Sequence, residues 1–230
     1  MTSYMHPDRA TIIVAGGTGT RMGALVPKQF LNLNNVPILI HTLNAFHNFD
    51  SNMILIVVMH EESISEWTKI AKMHNAPKHE VVKGGKERFF SVKNGLKLIP
   101  DNINQVAIHD AVRPLVSNDT LNNCFSALEH HSAVVPVIAV NDSLRKISDL
   151  KNQSVDRTLF KRVQTPQCFW NNTIQEAYNT PYKEIFTDDA SVVEANNIEI
   201  HLVNGNLENI KITTPIDILV GEALLKKERK

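Results

Sequence analysis

Gly16-Gly17-Thr18-Gly19-Thr20-Arg21-Met22-Gly23, followed by Pro27-Lys28, joins two things that a polyphosphate needs: backbone that can come close, and cations that neutralise it. Amide N–H groups reach an anion where side chains are absent. Arg21 and Lys28 add charge that a plain turn does not require. The segment follows the apolar run Thr11–Ala15 directly, so it reads as a strand opening into an anion-binding loop. Neither of two familiar phosphate loops is present. A P-loop continues Gly-Lys-Ser/Thr after its last glycine, and none follows here. The dinucleotide pattern G-x-G-x-x-G fails because Gly17-x-Gly19 is followed by Gly23, one residue late. An ordinary strand-to-helix turn accounts for the glycines but not for Arg21, Pro27 and Lys28.

Gly84-Gly85-Lys86-Glu87-Arg88-Phe89-Phe90-Ser91 repeats the logic: strand, paired glycines, helix start. Such a helix presents its N–H groups at the edge where open α/β sheets bind ligands, with Arg88 and Ser91 in the first turn. Asp110, in His109-Asp110-Ala111-Val112-Arg113-Pro114, falls at the end of the apolar run that starts at Gln105. One aspartate there suffices for Mg²⁺, which takes one or two carboxylates plus substrate phosphates. Equally, Asp110 can cap a turn and pair with Arg113, and local sequence leaves both readings open. Thr187-Asp188-Asp189-Ala190 opens a helix for which Thr187 or Asp188 is a natural N-cap. Asn209–Thr213 reads as a short strand whose Lys211 snorkels to solvent. The ten histidines show no metal-ligand spacing; His130 and His131 are adjacent and would point apart on a helix.

The elements that must position these residues are legible as alternation. Strand-length apolar runs occur at Thr11–Ala15, Met53–Met59, Glu80–Lys83, Gln105–His109, Ala133–Val140 and Ile198–Val203. Between them lie helical faces: Ile38, Thr42, Ala45 and Phe46; Ile64, Trp67, Ile70 and Ala71; Phe89, Val92, Leu96 and Ile99. The pattern predicts an α/β fold, a mainly parallel sheet with helices on both faces. A last helix is predicted from Thr214 as N-cap, Pro215 at its first position and Asp217 as the acid of a capping box, with Ile216, Leu219, Val220, Ala223 and Leu224 buried. Residues 141–160 interrupt the alternation with polar sequence. They read either as a mobile surface loop or as a projecting β-arm ordered against a second subunit, with Leu150–Ser154 as its tip.

At 230 residues the chain reads as one large domain or two small ones. Lysine plus arginine balances aspartate plus glutamate at 24 each, so no global field favours nucleic acid or an anionic membrane, and any anion site is a local concentration of cations. Cys124 and Cys168 make neither a metal spacing nor a disulfide framework. Met1–Arg9 has no apolar signal core, and no apolar run approaches a membrane span, so a soluble cytoplasmic protein is the expectation.

Taken in order, Ala15–Gly23, Pro27-Lys-Gln-Phe, Gly84-Gly85-x-x-Arg88-x-x-Ser91, His109-Asp-Ala-Val-Arg-Pro, Val155-Asp-Arg, Gln164-Thr-Pro-Gln, Thr187-Asp-Asp-Ala and Asn209-Ile-Lys-Ile-Thr resemble the IspD family of 2-C-methyl-D-erythritol 4-phosphate cytidylyltransferases, from Thr11 to about Leu224. The resemblance implies one cytidylyltransferase domain over 1–230 with a Rossmann-like nucleotidyltransferase fold, and a homodimer clasped by arms at 141–160. It implies CTP and methylerythritol phosphate as substrates and Mg²⁺ as cofactor. Carried over, Gly16, Gly17, Gly19, Arg21 and Lys28 hold the triphosphate, and Ala15 belongs to the CTP site. Gly84, Gly85 and Ser91 meet the cytosine and ribose, Ala111 belongs to the CTP site, and Asp110 binds Mg²⁺. Arg113, Ser143, Arg157, Thr187 and Lys211 hold or support the methylerythritol phosphate, with Ser143 and Arg157 reaching the neighbouring subunit's site from the arm. Arg21, Lys28, Arg157 and Lys211 are the cations expected to drive the chemistry.

Two positions depart from the family's habit. Ser143 stands where threonine is common, which keeps a hydroxyl donor. Lys86 stands where an acid is common, which changes only local charge. Ribitol-5-phosphate cytidylyltransferase shares the glycine loop and His-Asp-Ala-Val-Arg-Pro, but Val155-Asp-Arg, Ser143 and Thr187–Ser191 look more like the methylerythritol enzyme. A non-catalytic nucleotide-binding module would explain the glycine loop but not the arm cations together with Asp110.

Overall fold

The computed structural model of the chain describes residues 8–17, 27–149 and 151–228. In chain order the elements are β1 (Arg9–Val14), β2 (Asn32–Leu33), β3 (Val36–Pro37), α1 (Ile38–Phe49), β4 (Ile54–Met59), α2 (Glu61–Met73), β5 (Glu80–Lys83), α3 (Arg88–Leu96), β6 (Gln105–Asp110) and α4 (Asn118–Ala127). They continue with β7 (Ala133–Ala139), β8 (Leu144–Ser148), β9 (Lys151–Val155), β10 (Lys161–Val163), β11 (Gln167–Trp170), α5 (Asn171–Ala177), α6 (Asp189–Glu194), β12 (His201–Asn204) and α7 (Pro215–Glu228).

Eight strands form one sheet in the order β10-β7-β11-β6-β1-β4-β5, with β12 also on β7. The ladder β6-β1-β4-β5 is wholly parallel, so all four strands end at one edge. Successive side chains on a strand point to opposite faces. On β1, Ile13 joins one buried cluster with Leu39, Phe46, Trp67 and Phe125, while Ala10 and Ile12 join another with Phe89, Val92, Ile174 and Val193. Helices therefore cover both faces, as the near-continuous Val/Ile/Leu runs require. Among the described residues no helix is long and apolar enough to cross a membrane.

Five expected strands appear within two residues of their expected ends. The sixth is displaced: only His201–Asn204 pairs with β7, and Ile198–Ile200 stay outside the sheet. Short strands that the pattern does not predict are β11, inserted antiparallel between β6 and β7, β10, antiparallel on β7, and the small hairpin of β2 and β3. Asn209–Thr213 is not a strand; it is tied to the loop after β6 where Ile212 N–H donates to the Val112 carbonyl at 2.9 Å.

Residues 144–155 form an antiparallel hairpin, β8 on β9, separate from the main sheet, rather than an irregular loop. The expected tip is corrected: Lys151–Ser154 belongs to β9, and the turn lies at Asp149, with φ 45°, next to Leu150, which is outside the described residues.

α7 starts where expected, and the Asp217 Oδ2 accepts from Thr214 N–H at 2.8 Å, but its buried face is not the expected one. Ile216, Leu219, Val220 and Ala223 are exposed, whereas Gly221 and Leu225 are buried. This face packs on a satellite cluster of Leu33, Ile38, Val112, Leu115 and Ile212. Gly221 faces Leu33 and Ile212, and an added Cβ would lie in ordinary van der Waals contact with them, 3.4 Å from the Leu33 Cδ2.

Candidate active site

The parallel ladder delivers four strand ends to one edge: Ala15–Gly17 after β1, His60 after β4, Gly84–Gly85 after β5 and Asp110–Ala111 at β6. Of the residues expected in the site, Ala15, Gly16, Gly17, Lys28, Gly85, Ser91, Asp110, Ala111 and Lys211 line a single cleft there. Gly84 and Arg113 stand directly behind it through their contacts with Ser91 and Asp110. Ser143, Arg157 and Thr187 do not line it. The first two lie on the exposed arm, where Arg157 donates to the Asn141 carbonyl. Gly19 and Arg21 fall outside the described residues.

The glycine loop is aimed by side chains that sequence reasoning had not placed in the site. Gln29 Nε2 donates to the Ala15 carbonyl at 2.7 Å, and His60 Nε2 donates to the Gly16 carbonyl at 2.6 Å. In a trans peptide the following N–H points opposite to the carbonyl. Tying back these two carbonyls therefore turns the Gly16 and Gly17 N–H groups away from Gln29 and His60. Lys28, at the start of a 3₁₀ turn, crosses Gly17 so closely that an added Cβ would lie 2.9 Å from its Cε and 3.4 Å from its Nζ. The glycine is needed there for the approach of the ammonium. His60 carried a usable signal, as the residue immediately after a buried strand at the ligand edge.

At the second loop the buried Ser91 hydroxyl accepts from Gly85 N–H at 3.0 Å and donates to the Glu87 carbonyl at 3.1 Å. A Cβ on Gly84 would meet that hydroxyl at 3.0 Å, and one on Gly85 would meet the Phe90 Cβ at 2.3 Å. The paired glycines are what allow this turn to fold against its own helix.

Asp110 satisfies the pairing reading of its sequence: Arg113 Nε at 3.0 Å and Lys211 Nζ at 3.1 Å both converge on its Oδ2. Lys211 thus does not simply snorkel to solvent, although its side chain remains 43% exposed. Burial works to raise the Asp110 carboxyl, but Lys211, Arg88 and Arg113 together hold it well below the usual carboxylate range. Arg113 is itself fixed by Nη1 donating to the Asn209 carbonyl at 2.8 Å. Beneath it, burial pushes the His109 imidazole down to about 4. The neutral ring donates from Nε2 to the Arg113 carbonyl at 3.0 Å, and its Nδ1 lies 3.1 Å from the Thr165 hydroxyl. That hydroxyl accepts from Asp110 N–H, so it is free to donate to Nδ1, and the tautomer follows from its neighbours.

Thr187 lies exposed just before α6. Asp188, not Thr187, is the N-cap, in a capping box with Ser191. Gln167 bridges the same turn to the sheet, donating to Asp188 Oδ2 and accepting from Ala190 N–H, each at 2.8 Å.

A cleft with a glycine-lined anion loop, a lysine across it, and an ionised aspartate flanked by further cations is suited to bringing two polyanions together. Comparison with known proteins agrees. The family model of IspD, 2-C-methyl-D-erythritol 4-phosphate cytidylyltransferase, matches residues 10–227. The chain is 45% identical to the 2-C-methyl-D-erythritol 4-phosphate cytidylyltransferase of Bacteroides thetaiotaomicron, covering 94% of this chain and 99% of that one. It is 44% identical to the protein of that name from Porphyromonas gingivalis, over 96% and 99%. Among solved structures, the 4-diphosphocytidyl-2C-methyl-D-erythritol synthase of Anaerococcus prevotii superposes with a TM-score of 0.81 at 25% identity, over 96% and 99% of the two chains. The cytidylyltransferase of Thermus thermophilus gives 0.76 at 28%, over 96% and 99%. By sequence and by fold, this chain belongs to the IspD family of 2-C-methyl-D-erythritol 4-phosphate cytidylyltransferases.

Proposed function

We propose that this cleft performs the family's reaction, transfer of a cytidylyl group from CTP to 2-C-methyl-D-erythritol 4-phosphate. A phosphate oxygen of the acceptor attacks the α-phosphorus of CTP. The bond from that phosphorus to the β-phosphate bridging oxygen breaks, and pyrophosphate leaves with the electron pair. The attacking oxygen is already anionic, so no protein base is needed. The barrier is the approach of like charges, about 4 kcal/mol per unit pair at 4 Å and an effective dielectric of 20. The observation that carries the reading is the convergence of Lys28, Gly16–Gly17, Asp110 and Lys211 on one cleft.

In this proposal the Gly16 and Gly17 amides, with Gly19, Arg21 and Lys28, receive the triphosphate, and Lys28 offsets charge moving onto the leaving group. Gly84, Gly85, Ser91 and Ala111 shape the pocket for the cytidine. Lys211 and Arg113 serve the acceptor phosphate with Thr187, and Ser143 and Arg157 do so from the arm of a second subunit. The Asp110 side chain fits Mg²⁺: it stays ionised, and its two cationic neighbours both occupy Oδ2. One carboxylate plus substrate phosphates is the usual protein share for this ion. When bound, Mg²⁺ supplies charge neutralisation between the polyphosphate and the carboxylate.

The chain is taken as one catalytic domain whose segment 141–160 is a dimerisation arm. The arm's isolated hairpin and the exposed Ile147, Leu159, Phe160 and Val163 support that reading. Zero net charge and two buried free cysteines accord with small-molecule partners, without nucleic acid or membrane, in the cytoplasm. CTP, Mg²⁺ and methylerythritol phosphate together should release pyrophosphate, and CTP alone should not. Equal release with ribitol phosphate would overturn the acceptor assignment, and none with either acceptor would leave only a nucleotide-binding module.

A further inference from the structure

Arg88 and Asp189 lie 101 positions apart in sequence and face each other in a bidentate pair, Nη1 to Oδ1 at 2.8 Å and Nη2 to Oδ2 at 2.6 Å. The Asp189 side chain has no solvent exposure, and the Tyr178 hydroxyl donates to its Oδ1 at 2.6 Å. Arg88 begins α3, three residues after Gly85. Asp189 begins α6, two residues after Thr187. Resting on the functional reading above, these positions make the pair a direct strut between the nucleotide loop and the turn assigned to the acceptor.

We propose that Arg88 and Asp189 are positioning residues that hold the CTP subsite and the acceptor subsite in register for in-line attack, without themselves binding either phosphate. Both terminal nitrogens of Arg88 are committed to Asp189, although Arg88 borders the cleft. A guanidinium spent in this fork is not arranged to receive a phosphate in the same fork. α6 has little freedom to follow any other element. Its first turn is clamped from the sheet side by Gln167, which is fully buried on β11, and β11 pairs with β6, the strand that ends at Asp110. Thr187, Asp110 and Gly85 are thus fixed to one frame, and the strut ties the start of α3 directly to the start of α6 within it. The signature of such a device is a loss of rate with each substrate still bound, since reacting groups displaced by about 1 Å lose on the order of 100-fold in rate.

The test uses Arg88→Lys, Asp189→Asn and the double variant Arg88→Met/Asp189→Leu. The double variant leaves no unpaired buried charge and so remains informative if a single variant does not fold. Folding is followed by circular dichroism, CTP binding by calorimetry, and kcat by pyrophosphate release with methylerythritol phosphate. The expected result is a folded protein that binds CTP within about threefold of the parent, while kcat falls about 30-fold or more. A folded variant with kcat within threefold of the parent overturns the proposal. So does a loss of CTP affinity that matches the loss of rate, which would make Arg88 a phosphate ligand. Failure of the functional reading would appear in the parent protein itself, as no pyrophosphate release.

Discussion

Lys28 and Gly17 form a unit in which the small residue exists for the sake of the charged one. Lys28→Ala should lower kcat by about 10²–10³-fold while changing unfolding free energy by no more than about 1 kcal/mol. Full turnover in a normally folded variant would remove Lys28 from the chemistry. The glycines of the two loops separate in a second prediction. A methyl group on Gly17 meets only the flexible end of Lys28, so Gly17→Ala should keep its stability and lose activity, about tenfold or more, by displacing the ammonium. A methyl on Gly85 meets the Phe90 Cβ at 2.3 Å and its backbone carbon at 3.0 Å, so α3 itself must shift. Gly85→Ala should therefore cost about 1–3 kcal/mol in urea denaturation. Equal stability of the two variants would contradict the steric account. Glycine position and cation spacing made this loop legible in sequence. Gln29 was not legible as its support, because a side chain bonded to a carbonyl from another segment leaves no periodic trace, and His60 was marked only by its place after β4.

At the scale of elements, the arm is a hairpin with no third strand among the described residues, and such a pair is marginal in water without something to cover it. If Arg157 completes the partner's site, inactive Lys28→Ala and Arg157→Ala proteins should regain activity when mixed. Random exchange gives hybrid dimers with one intact site each, so recovery should reach up to about a quarter of the parent rate, read by pyrophosphate release. No recovery after demonstrated subunit exchange would place Arg157 in its own subunit's site or in none. α7 shows where pattern reading fails. Ile216, Ile218, Leu219, Val220, Ala223, Leu224 and Leu225 surround the helix on nearly all sides, so periodicity could not choose a face. What decides is the surface the helix meets, Leu33 in a hairpin far upstream together with Ile38, Val112, Leu115 and Ile212. The β6-β1-β4-β5 ladder was legible because doubly covered parallel strands are continuously apolar. β11 was not, since its short run of Gln167, Cys168, Phe169 and Trp170 takes its conformation from the two strands it joins.

For the whole molecule, acid is the condition that tests the buried polar core beneath the site. His109 titrates at 6.5 when free and at about 4 when folded, so the unfolded chain binds the proton first. Stability should fall as pH drops from about 6.5 towards 4, by about 3 kcal/mol at the limit. Asp110, held below its ordinary 3.8, adds a further loss in the same direction at lower pH. His109→Asn should flatten the upper part of this profile in denaturant titrations at a series of pH values; an unchanged slope would refute the assignment. The site combines parts that sequence could supply singly, Lys28, Asp110 and Lys211, with a geometry it could not. The contacts of Lys211 with Asp110 and of Arg88 with Asp189 join segments about a hundred residues apart. The insertion of β11 between β6 and β7 also dictates an order of events during synthesis. The ladder that carries both glycine loops and Asp110 is complete once β6 has emerged. β7 gains its link to that ladder only when Trp170 has been made, and Lys211 follows later still. At ~5–20 residues per second, the nascent chain spends several seconds with the ladder's four strands made and Lys211 still to come. A ribosome stalled in that interval would hold a ladder whose β1 and β6 face still lacks the cover of Phe169, Ile174 and Val193, and whose Asp110 still lacks Lys211.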